Sequence, residues 1–343
     1  MPGAALIAAA VEAEMSAAAR HRAADAEIGL RAAGRLDDEA RARASLIADA
    51  VIGEVSTLLR AAEPMLDGAG VDEVPRRLAE AGLVARSGLA AAALARADEH
   101  RLAAALARAA VSDTEAEGPD PADPSLADEA HAVRQAEAAR LDRVGDPLLP
   151  LHDLAAEDRH ALFWHVAACL ADLGLARLGD ARAGAEDAMH RGAAAAVSRT
   201  LAAIDDRAGI TAATLRLARR LLEDDALDDD HIAGALAAGR VSLLAAMLAV
   251  RAGVAIEAVR ATIGDAARLA VLLRACALSR EIAAAMILTV ALVRADESDP
   301  ALAAAELIEA FERLPEDRAR AEVRRTRLEP HYRDALAALA ARP

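Results

Sequence analysis

Histidine and cysteine are the residues of this chain best placed to do chemistry, nine of the first and two of the second. His165 and Cys169 stand four apart in an apolar helical pattern and so share a helix face. An imidazole and a thiolate at that spacing can hold a metal, but a structural zinc takes four ligands. His152 and His160 are the nearest in sequence to complete the set. The competing expectation is packing, with no metal and no cofactor, and it is the one adopted for these residues. His131, in DEAHAVRQAEAARL, and His190, in AMHRGAAAA, fall on predicted helices. A phosphoacceptor histidine on a helical bundle is an established kind of signalling chemistry. The neighbours of these two match no histidine-kinase or phosphotransfer motif, and no ATP-binding segment follows.

Arginine is the third candidate. Arg240 opens an apolar helix and Arg274 interrupts one. A buried guanidinium must meet a carboxylate or the carbonyls at a helix end. Asp265 and Glu281 are the acidic residues close to Arg274 in sequence. Otherwise the side chain snorkels at the edge of the helices. A binding site for an acidic ligand or partner at Arg240 and Arg274 is the functional alternative.

Other chemistries are excluded by residue type. The chain has no lysine, so all forty basic residues are arginine. Walker-type phosphate loops, Schiff-base catalysis, the kinase strand lysine and Ser-Lys pairs all need one. No G-x-S-x-G elbow is present, and neither Cys169 nor Cys276 has polar sequence neighbours suited to a reactive thiol. The acidic run Asp224 to Asp230 lacks the glycine and the final glutamate of an EF-hand loop. It reads as helix capping, with carboxylates at the exposed amides of the helix that holds His231.

The elements that must position these residues are all helical. Aromatic residues make up 1% of the chain, and strands favour aromatic and β-branched side chains. The predicted fold is all-α: an N-terminal helical hairpin or bundle followed by a HEAT-like array of short helix pairs. The hairpin covers residues 1–66, with helix one from about Ala4 to Ala33, a turn at Gly34 to Asp38, and helix two ending at Glu63-Pro64. Helix two carries the stripe Ile47, Val51, Val55 and Leu58. Two such stripes cannot bury each other completely; they need the rest of the chain or a second copy, so a homodimer through this hairpin is expected. Short helices are predicted over 67–111, a Pro-rich acidic linker over 112–126, a helical-repeat-like domain over 127–314, and a C-terminal helix over 315–343. Within the repeat-like part a phrase recurs, a hydrophobe, a polar turn residue and an apolar helix, starting at Ile210, Leu227, Val254 and Leu278. The helix Val241 to Val250 is apolar on nearly every face and belongs at the centre.

Several of these segments resemble an uncharacterised bacterial family, domain of unknown function 2336. They are Leu154-Ala155-Ala156-Glu157-Asp158-Arg159, Leu162-Phe163-Trp164, Ala238-Gly239-Arg240, and Leu273-Arg274-Ala275-Cys276-Ala277-Leu278. The resemblance spans about Leu149 to Val293. It implies an all-helical cytoplasmic protein and carries over no catalytic residue.

The net charge of −15 opposes nucleic-acid binding, because the one arginine cluster, Arg318 to Arg327, is interrupted by acidic residues. The longest apolar run, Ile282 to Val293, is well short of the roughly 20 residues that span a bilayer. The N-terminal stretch has Glu12 and Glu14 and no basic leader, so it does not read as a signal peptide. The expectation is a non-enzymatic cytoplasmic scaffold or regulator that docks a protein partner on its helical array. A dimeric phosphotransfer-type signalling module on His131 or His190 is the alternative, and a metal-dependent enzyme around His165 the third.

Overall fold

The computed structural model describes residues 5–7, 9–10, 38–67, 70–110, 124–293, 299–328 and 332. Residues 11–37 of the expected hairpin, 112–123 of the expected linker and nearly all of the chain beyond 328 lie outside the described residues. In chain order the helices are α1 (Asp38–Ala62), α2 (Val74–Glu80), α3 (Leu83–Arg86), α4 (Leu89–Ala110), α5 (Pro124–Ala138), α6 (Ala156–Arg177), α7 (Arg182–Ala203), α8 (Ile210–Glu223), α9 (Asp229–Ala237), α10 (Val241–Ala252), α11 (Ile256–Ile263), α12 (Ala266–Ala275), α13 (Arg280–Val293), α14 (Pro300–Arg313) and α15 (Glu316–Arg325). The fold is all-α. Among the described residues β-type pairing is limited to an isolated bridge between Leu141 and Pro147. The chain forms two compact units, the first from Arg20–Asp98 and Ala136–Gly209, the second from Met1–Ala19, Glu99–Gln135 and Ile210–Pro343.

In the first unit α1 packs on α6 and α7. Its buried stripe is Ile47, Val51, Val55 and Leu59. The predicted stripe ended on Leu58, which is instead exposed, while Leu59 is fully buried. Both residues continue a helical spacing; α6 and α7 cover the face that Leu59 is on. Of the two ways to bury this stripe, α1 therefore uses the rest of the chain. The helix stops where predicted. Glu63 is extended, its carboxylate accepts from the Met65 amide at 3.2 Å, and Pro64 follows. Short helices were expected up to Ala110, but Leu89–Ala110 is one helix of 22 residues. It contains no Gly or Pro and is rich in Ala and Leu, the strongest helix formers.

In the second unit α10 lies at the centre, packed against α8, α9, α11 and α12. Every residue from Val241 to Ala249 is buried, as its apolar faces predict. Each fully buried Leu or Val there contributes about 1.5–3 kcal/mol. Four helices end in the same way. Asp225, Gly239, Gly253 and Ala277 take left-handed φ values of 56°, 65°, 64° and 54°. The following amide then donates back five residues: Ala226 to the Leu221 carbonyl at 2.8 Å, Arg240 to Ala235 at 2.9 Å, Val254 to Ala249 at 3.0 Å, and Leu278 to Leu273 at 3.2 Å. These are Schellman closures, which satisfy carbonyls that a helix end leaves open. Three of the predicted phrase starts, Leu227, Val254 and Leu278, follow such a stop, while Ile210 follows Gly209 in extended backbone. Aspartates start the next helices: Asp228, Asp265 and Asp299 accept from amides of the first turns of α9, α12 and α14. Ser279 does so for α13, as predicted, at 3.5 Å from the Ile282 amide.

Ala277 bears a Cβ in a conformation that costs an L-residue about 1–2 kcal/mol. Ala277→Gly removes that strain and adds a smaller loss of backbone entropy. We expect it to stabilise the chain by roughly 0.5–1 kcal/mol, read as a rise in denaturant midpoint at unchanged slope.

Candidate functional site

The metal-type candidates do not converge. His160 accepts the indole N–H of Trp164 at 3.0 Å, and the rings meet edge to face. His152 lies in the turn before α6, its Nε2 4.0 Å from Asp153. His165 is half-buried on α6. Burial holds its imidazole below the usual range and Arg86 lowers it further, against a bond to the Leu83 backbone that raises it. Burial also pushes up the Cys169 thiol. Among the described residues no group of three or more His, Cys, Asp or Glu side chains is arranged to hold a metal. Cys276 is buried, and its thiol is pushed up to about 12, which removes its nucleophilic form at neutral pH.

The phosphoacceptor candidates lie on separate units and both are exposed. His131 on α5 has Gln135 2.9 Å from its Nε2. His190 on α7 has the Glu186 carboxylate 3.8 Å away, a charge that repels an incoming phosphoryl group.

Arg274 is a clamp between helices. Its Nε donates to the Leu314 carbonyl at 2.7 Å, the end of α14, and its guanidinium lies 5.5 Å from the Phe311 ring centre and 3.7 Å from Glu316. The partner is thus a helix-end carbonyl and a distant carboxylate, with Asp265 occupied as the cap of α12. Cation–π attraction of this kind adds about 0.5–2 kcal/mol. Arg240 sits half-buried at the start of α10, and its amide closes α9. The acidic run is divided in use. Asp228 caps α9, and the His231 amide and ring hold its carboxyl below the usual carboxylate range. Asp229 bonds Arg251 at 2.7 Å and the Ser279 amide at 3.0 Å, joining α9, α10 and the start of α13.

The first unit holds a buried arginine frame that no local sequence pattern reveals. The irregular stretch from Leu141 to Leu154 leaves carbonyls without helical partners, and arginines supply the donors. Arg96 donates to the Leu148 and Arg140 carbonyls at 2.9 and 2.8 Å. Arg140 pairs with Asp153 at 3.0 Å, with side chains 10% and 4% exposed. Arg159 donates to the Leu151 carbonyl at 3.2 Å and pairs with Asp206 at 2.7 Å. This explains why Arg159 follows the Leu154-to-Asp158 segment: it pins the turn that leads into α6. The one signal in the sequence was the loop itself, whose carbonyls need donors.

The second unit carries a concave feature. α11, α12 and α15 line a cavity of about 60 Å³. Val254, Ala258, Val259, Val271, Leu272 and Val323 form its apolar walls. Thr262, Arg268, Glu322 and Thr326 also line it: Thr262 Oγ1 donates to Ala258 O at 2.7 Å, Arg268 to Ala261 O at 2.8 Å and Thr326 Oγ1 to Val323 O at 2.7 Å, while Glu322 accepts from Arg325 at 3.4 Å. The remaining wall is Ala10, from the N-terminal end of the chain. Residues 5–7 and 9–10 are helical, and Leu6, one turn before Ala10, is 3% exposed. Ala10 lies against α11, α12 and α15. One residue of a helical segment, Ala10, thus lines this groove.

Among the described residues no helix is long and apolar enough to cross a membrane. No curated protein matches the chain, and no solved structure matches it. The sequence model of a family described as uncharacterised protein conserved in bacteria matches residues 121–324, from α5 to α15, and this range contains the Arg159 turn, the Gly239 stop and the Arg274 clamp. Since that is more than half of its length, the chain belongs to this bacterial family, domain of unknown function 2336.

Proposed function

We propose that the protein is a non-enzymatic cytoplasmic scaffold or regulator that holds an amphipathic helix of a protein partner in the groove between α11, α12 and α15. The observation that carries this reading is Ala10: a residue of a helical segment lines the groove, and Leu6, one turn before it, is buried. Helix-in-groove recognition works through such i, i+4 anchors. The two threonines at the cavity bond to carbonyls of their own helical turns and most of the other lining residues are aliphatic, so the groove favours an apolar face. The two free cysteines agree with a reducing compartment. Phosphoryl transfer on His131 or His190 is the weaker reading, because the groups beside them are an amide and a repelling carboxylate.

The test uses the full chain with Leu6→Asp, which releases the resident segment, and a labelled peptide of residues 1–14. We expect the peptide to bind. Adding Ala258→Arg, on a half-exposed wall residue, should weaken binding at least tenfold while the circular dichroism stays helical. Unchanged binding in the Ala258→Arg chain contradicts the reading.

A further inference from the structure

We draw no further inference here: the strongest candidate, the exposed apolar surface of α13 and α14 at Leu288, Leu292 and Leu302, carries nothing because nothing in the structure shows what covers it.

Discussion

Gly239→Ala is expected to lower the melting temperature of the chain by roughly 10 °C, the effect of about 3–5 kcal/mol. Two costs combine. At φ +65° an L-residue loses about 1–2 kcal/mol. The added Cβ would also stand 2.6 Å from the Ala103 carbonyl oxygen and 3.3 Å from the Ala107 Cβ, so the backbone of α4 must move. Gly82→Ala separates the two. Its φ is +66°, but nothing lies within 4 Å of the new methyl. It should lose only the conformational part, about 1–2 kcal/mol. Equal losses at both positions would show that the contact with Ala103 carries no weight. Thermal melts followed by circular dichroism decide between these outcomes.

Asp153→Ala should be comparably damaging, about 3–5 kcal/mol, because it takes the carboxylate from a buried guanidinium. Arg140 and Asp153 are almost fully covered, and Arg140 also lends its carbonyl to Arg96. The loss therefore loosens the stretch that leads into α6. Replacing both charges by apolar residues of similar size, Arg140→Met with Asp153→Leu, should recover part of the loss, since no charge is then stranded. A double variant no more stable than Asp153→Ala would mean that the pair matters for its shape alone. Urea unfolding with a common slope measures each step.

Helix stops and starts could be read from the sequence because they depend on local chemistry. Glu63-Pro64, Asp299-Pro300 and the Gly-Arg pair at Gly239-Arg240 act within a few residues of themselves. The choice between Leu58 and Leu59 could not be read, because both fit a helical stripe and only α6 and α7 select one. Arg274 was legible as a residue needing a carbonyl or a carboxylate. Its partner, the Leu314 carbonyl, lies 40 residues away, beyond any local pattern. The arginine frame was hidden for the same reason: forty arginines look alike until the irregular stretch from Leu141 to Leu154 folds among three of them. Ala10 was the least visible. In a chain this rich in alanine, one methyl facing a groove has no signature until α11, α12 and α15 surround it.

The groove is tested most directly by amide hydrogen exchange on the full Leu6→Asp chain, with and without the peptide of residues 1–14. Slower exchange is expected over 254–272 and 319–326 when the peptide is bound, with residues 38–98 and 136–209 unchanged. Protection confined to the first unit, or none anywhere at saturating peptide, would contradict it.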